Sequence, residues 1–147
     1  MRHHRVGYPL VKFNADFLSD IGEHLAFLGL TQNFRRARDV FAKHANLALE
    51  TKELLAQFDF HTEALTWLLC EVKGGTKTLK LNLPVTHPVH DETRPDALIA
   101  WLEGQLEPLA ARFDARNGTR VFARKLEASR ALAEWMTPYP MGSARAE

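Results

Sequence analysis

Cysteine is almost absent from this chain. Cys70 is the one such residue in 147, so no internal disulfide can form. It lies in the most apolar run of the sequence, which predicts a buried, reduced thiol rather than an exposed nucleophile. A strong net charge is also missing: the formal value is +1, so overall charge selects neither an anionic nor a cationic partner. No apolar run approaches the roughly 20 residues of a membrane-spanning helix. The basic opening Met1–Arg5 is not followed by the apolar core of a signal peptide. A cytoplasmic protein without membrane contact is expected. Gly74-Gly75 stands alone, so there is no glycine-rich phosphate loop, and neither a G-x-S-x-G elbow nor an H-E-x-x-H pair occurs. These absences point away from catalysis and give no reason to expect a cofactor.

What is present is an apolar fraction of 46%, enough to bury a core. The length fits a single domain over 1–140, followed by a flexible tail over 141–147. The chain is organised around Thr62–Thr86. Leu79, Leu81, Leu83 and Val85 alternate with Lys80, Asn82 and Pro84, a period of two that puts the apolar side chains on one face of a strand. Upstream, Leu65–Val72 is almost continuously apolar, and Lys73-Gly74-Gly75-Thr76 separates the two runs. A Gly-Gly pair suits a hairpin turn, which predicts a β-hairpin over about 65–85. The rival reading makes Leu65, Leu68, Leu69 and Val72 one helical face, with Lys73 in the last turn and Gly74 as a left-handed cap. The hairpin is preferred because a lone strand leaves its backbone unpaired. In the rival reading the strand would need Val6–Phe13, or a second chain, as its partner.

The rest reads as helix. Asn14 and Asp16 suit the start of a first helix, whose face is Phe17, Leu18, Ile21, Leu25 and Leu28, with Gly29 as its stop. Thr31 suits the cap of a second helix running to about Gln57, with a candidate break near Glu50 and Thr51. Thr86–Arg94 reads as loop. Pro95 suits the first position of a third helix, interrupted or kinked at Pro108 and stopped by Asn117-Gly118. Thr119 suits the cap of a fourth, ended by Pro138 and Pro140. The fold expected is therefore α+β and predominantly helical: two helices, a central hairpin, then two helices. Trp67, Trp101 and Trp135 are expected to fill one core, and any of them found exposed would be an anchor for a partner.

Charge is balanced overall but segregated along the chain. Phe13–Leu30 holds three acids and no Lys or Arg, whereas Arg112–Arg130 holds six basic residues against Asp114 and Glu127. Arg112, Arg116, Arg120 and Arg124 are each four apart, a stripe suited to phosphates if one helix carries them all. With Lys73, Lys77 and Lys80 they form the candidate nucleic-acid surface, to which Arg35, Arg36, Arg38 and Lys43 could add. The plainer alternative is a set of solvated faces paired with the acidic segments of the same fold.

His87 and His90, followed by Asp91 and Glu92, form half of a conceivable zinc site, short of the three or four ligands required. No metal is assigned from them. Arg38-Asp39 followed by His44 resembles the R-x4-6-H arrangement of HEPN-type ribonucleases, in which an arginine and a histidine from a helix dimer act on an RNA phosphodiester. The resemblance covers only these residues. Such a spacing is expected about once by chance in a chain this rich in Arg and His, and no function is carried over. The functional expectation is a non-enzymatic binding protein that contacts DNA or RNA through its basic surface or acts inside a nucleoprotein assembly. The alternative is a protein-interaction subunit or homo-oligomeric adaptor.

Overall fold

The computed structural model describes residues 17–140. The expected cap at Asn14 and Asp16, the strand partner Val6–Phe13 and the tail 141–147 lie outside the described residues. Among those described there are five α-helices: α1 Leu18–Leu30, α2 Phe34–Glu50, α3 Leu54–Lys73, α4 Pro95–Asn117 and α5 Val121–Leu132. A short 3-10 turn, Ala133–Trp135, follows. None is long and apolar enough to cross a membrane.

The expected hairpin is absent, and with it the α+β class: no strand occurs among the described residues. Leu65–Val72 belongs to α3. Lys73 sits in its last turn, as the rival reading required, but the residue with positive φ is Gly75 (φ 96°), not Gly74 (φ −78°). The N–H groups of Gly74, Gly75 and Thr76 donate to the carbonyls of Cys70, Val72 and Glu71, closing the helix end. Residues 76–84 leave it as an irregular extended segment. Leu79 and Leu83 are buried and Leu81 half-buried, so the period-two pattern reports an inward face as far as Leu83, whereas Val85, expected on the same face, is 79% exposed. The segment joins no ladder. Its Leu79 N–H donates to the Thr93 carbonyl at 2.8 Å, a tie to the loop before α4. The alternation recorded burial against the helices, which needs no neighbouring strand.

α3 is the central element. It contacts every other helix, and most extensively α1. Phe58, Phe60, Leu65, Trp67 and Leu68 are all buried on it, so it is apolar around most of its circumference. The approach of α1 is close. A Cβ built on Gly29 would lie 2.8 Å from the Trp67 Cα, so only glycine lets the two backbones meet there.

The joints follow local chemistry. Thr31 closes α1 rather than opening α2: its Oγ1 donates to the Phe27 carbonyl at 2.7 Å, and Asn33 takes the N-cap of α2. The break near Thr51 is present. The Thr51 Oγ1 accepts the Glu53 N–H, and the Gln57 Nε2 reaches back to the Ala48 carbonyl at 2.8 Å. Pro95 opens α4, which continues through Pro108 without a restart because Pro108 lies on an exposed face. Gly118, at φ 66°, ends α4. The cap of α5 is the Asp114 carboxylate, which accepts the Phe122 and Ala123 N–H groups at 2.9 Å. Trp67 is buried and Trp101 packs against the core, but Trp135 is 77% exposed. Cys70 is buried, and burial pushes its thiol up to about 11, Lys73 opposing and Glu71 adding, so it is uncharged at neutral pH.

One carboxylate binds these parts together. Glu71, fully buried on α3, accepts from Arg38 Nε at 2.9 Å and Nη2 at 2.8 Å, from Trp67 Nε1 at 3.0 Å and from Thr76 Oγ1 at 2.6 Å. Removing one partner of such a pair leaves a buried charge uncompensated. Arg38→Ala should therefore lower the unfolding free energy by roughly 3–5 kcal/mol, and Arg38→Met with Glu71→Met by much less. Urea denaturation followed by circular dichroism measures both.

Candidate functional site

The seven cations expected to form one surface separate into two groups. Lys73 lies at the C-terminal end of α3, where its Nζ donates to the Glu134 carbonyl at 3.0 Å and pairs with the Glu134 carboxylate at 3.4 Å. Lys77 and Lys80 are exposed on the segment that leaves that end. Arg112 and Arg116 lie on the last turns of α4, near the other end of α3, about 30 Å away for a helix of 20 residues. Arg124 lies on α5 and Arg120 is its N-cap residue, both outside α4, because Gly118 ends that helix. The three-residue connection keeps Arg120 beside Arg116 at this same end of the molecule. Arg120 also pairs with Glu127 at 3.7 Å, both side chains well solvated.

At that end the chain forms a groove of about 390 Å³. One wall is the α2–α3 joint, with Lys52, Glu53, Leu54 and Leu55; the other is α4, with Arg112, Phe113 and Arg116. Leu54 and Leu55 are 37% and 50% exposed in the first turn of α3. Glu53 occupies the N-cap without a side-chain bond to that turn. The positive end of the α3 dipole thus adds to three cations, against the single carboxylate of Glu53. Sequence reading missed Lys52, Leu54 and Leu55. The signal for them was the candidate break near Glu50 and Thr51, which the sequence left undecided, since a helix restart exposes its first turn.

Two other cations, Arg38 and Arg130, are committed to the fold. Arg38 is held by Glu71. Arg130 joins α5 to α4 through Glu103 at 3.0 Å and Glu107 at 2.9 Å. Arg35, Arg36 and Lys43 are exposed on α2. His44 does not meet Arg38 in a site: six residues of helix set the two about 120° apart around its axis. His44 is buried and donates from Nδ1 to the Val40 carbonyl at 2.8 Å. His87 and His90 find no third ligand among the described residues. Among the described residues no group of three or more His, Cys, Asp or Glu could hold an ion.

His87 is instead buried. Its ring lies 5.2 Å from that of Trp101, centroid to centroid, and His61 lies 5.6 Å from the same indole. The Val89 N–H donates to His87 Nδ1 at 3.3 Å, which assigns the proton of the neutral ring to Nε2. Burial, then the neighbouring His87, lowers the His61 pKa to about 4, and burial lowers that of His87. Two residues further along α3, Glu63 lines a cleft of about 420 Å³ between α1, α3 and α5 with Glu23, Asp59 and Lys125. The Ser19 hydroxyl donates to Asp59 there at 2.8 Å. Burial, then Glu23 and Asp59, raise the Glu63 carboxyl to about 7, while Lys125 opposes them.

These shifts act on stability with opposite signs. The folded chain keeps His61 neutral to about pH 4, against an ordinary 6.5. Its contribution is therefore complete above pH 6.5 and is lost as the pH falls toward 4, by about 3 kcal/mol. Glu63 stabilises relative to the unfolded chain below its ordinary 4.5, and that contribution is lost as the pH rises through 7. Its magnitude is smaller because the side chain is partly solvated. The two effects should offset each other and leave a shallow profile between pH 4.5 and 6.5. Glu63→Gln should steepen the loss on acidification, and His61→Phe should flatten or reverse it. Urea unfolding across pH 4–8 reads both slopes. In comparisons with known protein families, with curated proteins and with solved structures, the chain matches none.

Proposed function

We propose that this protein is a non-enzymatic binding protein that holds nucleic acid at the basic end formed by the α2–α3 joint, the end of α4 and the start of α5. The observation that carries the reading is the groove: Lys52, Arg112 and Arg116 line it together, at the positive end of a 20-residue helix. Arg120 and Arg124 extend the same end. Cations grouped in this way neutralise phosphates and displace condensed counterions, so affinity is set by charge and falls with salt. The near-zero net charge is no obstacle, because the field acting on a polyanion is local. Lys73 lies at the opposite end of α3 and already has a carboxylate partner, and neither Lys77 nor Lys80 lines the groove.

A protein partner is the second reading, and it is favoured by Trp135 at 77% and Tyr139 at 52% exposure on the segment after α5. Large aromatic side chains left in water are the usual anchors of protein interfaces. Pairing of strands across a dimer has no basis in the Leu79–Val85 segment, which is not a strand.

Fluorescence anisotropy with short labelled DNA and RNA, at low and at physiological salt, tests the first reading. Binding should weaken steeply with salt. Arg112→Ala with Arg116→Ala should weaken it at least tenfold at low salt and reduce the logarithmic salt slope by about 1 for each phosphate no longer neutralised. Lys77→Ala with Lys80→Ala should leave both unchanged. Absence of binding at low salt would overturn the reading and turn attention to Trp135.

A further inference from the structure

The groove at the α2–α3 joint is not only basic. Leu54 and Leu55 stand in its wall, 37% and 50% exposed, and Phe113 faces them from α4. Arg112 and Arg116 flank Phe113 in sequence, and Lys52 precedes the leucines, so cations border an apolar strip on both sides. From this juxtaposition, and resting on the nucleic-acid reading above, we infer that the groove selects unpaired strands over duplex, with phosphates on Lys52, Arg112 and Arg116 and unstacked bases on Leu54, Leu55 and Phe113.

The two forms of nucleic acid offer different surfaces. A duplex presents phosphate and sugar outward and keeps the faces of its bases stacked inside. Docked on this groove, it would satisfy the three cations but set charged phosphates against two leucines and a phenylalanine. Such docking removes no apolar surface from water on the nucleic-acid side, and it desolvates phosphate without a donor. A single strand can turn its bases toward the protein, and every base has an apolar face that any sequence offers. The groove volume of about 390 Å³ lies in the range of roughly 300–1,000 Å³ typical of sites that enclose small organic groups. The apolar strip is also short, spanning one turn of α3. Contact with only a few nucleotides follows, with little preference among bases, because no side-chain amide or carboxylate other than Glu53 lines the wall to read their edges.

Phe113 is half-buried, and its ring lies 4.7 Å from Phe122 and 6.0 Å from Phe58. Its inner face belongs to the core, and substituting it risks the fold. The leucines carry no such risk, since both are well exposed at a helix start, and alanine is a good helix former there.

The test compares a labelled single strand of about a dozen nucleotides, as DNA and as RNA, with the matched duplex, by anisotropy at one low salt concentration. Each is measured with the full chain, with Leu54→Ala/Leu55→Ala and with Arg112→Ala/Arg116→Ala. The expected result is single-strand affinity at least tenfold above duplex affinity. The leucine variant should lose about 5- to 10-fold on the single strand, nothing on the duplex, and keep its salt slope. The arginine variant should lose affinity for both and flatten the slope. Equal or tighter duplex binding overturns the inference and leaves the nucleic-acid reading standing, as does a leucine variant that changes neither strand form or both equally. Failure of every probe to bind overturns both together. Thermal unfolding of each variant, expected within a few degrees of the parent, confirms that affinity rather than folding is being read.

Discussion

A buried carboxylate sets the terms of this fold. Glu71 lies on the central helix with no exposed surface, and an ionised group there is tolerable only if its lone pairs are filled. Arg38 supplies a two-pronged pair from α2, Trp67 a donor from one turn earlier on α3, and Thr76 a hydroxyl from the segment that follows. Each donor fixes something different. Arg38 sets the position of α2 along α3. Trp67 is held in the rotamer that packs its ring against Phe41, centroids 5.1 Å apart and the planes tilted by 36°. Thr76 fixes the direction in which the chain leaves α3, and therefore where Leu79 and Leu83 enter the core. Hydrophobic burial drives the helices together without itself being directional. The charge-assisted bonds are directional, because they need both distance and angle.

With α3 fixed, its two ends acquire opposite roles. At the C-terminal end Lys73, Glu134 and the 3-10 turn close the structure locally, and the chain exposes Trp135. At the N-terminal end the α2–α3 joint leaves a first turn uncovered, with α4 and α5 meeting beside it. Between them, along the middle of α3, lie the acidic cleft at Glu63 and the imidazoles around Trp101. Acidic and basic groups are thus sorted along one axis in a chain whose net charge is +1. Some of the charge segregation seen along the sequence is used within the fold, as Arg130 shows with Glu103 and Glu107. Among the described residues, the groove cations Lys52, Arg112 and Arg116 share their walls with one carboxylate, Glu53.

Much of the helical plan is legible in the sequence because its signals are local. Pro95 at a helix start, Gly118 in the left-handed region and the break at Thr51 depend on a few neighbouring residues. The hairpin expectation fails because periodicity registers which side chains are buried and is blind to backbone partners. Leu79, Leu81 and Leu83 alternate because α-helices cover one side of an extended segment, and Leu65–Val72 is continuously apolar because α3 is surrounded. The arginine stripe fails for a related reason: a spacing of four is meaningful only within one helix, and Gly118 divides it. Arg38 reads as surface because its partner stands 33 positions away, a pairing no local pattern contains. Lys52 and the two leucines become a candidate site only once α4 is seen to end against them.

If one end of the molecule, and not the whole basic complement, carries the binding surface, nucleic acid must perturb that end alone. Backbone amide NMR of the 147-residue chain, titrated with a short single-stranded oligonucleotide, reads this directly. Shifts should cluster at Lys52, Leu54, Leu55, Arg112, Phe113 and Arg116, fade along α5 beyond Arg124, and leave Lys73, Lys77 and Lys80 unmoved. Shifts centred on Lys73–Lys80, on the Glu63 cleft or around Trp135, or no shifts at all, would refute the assignment.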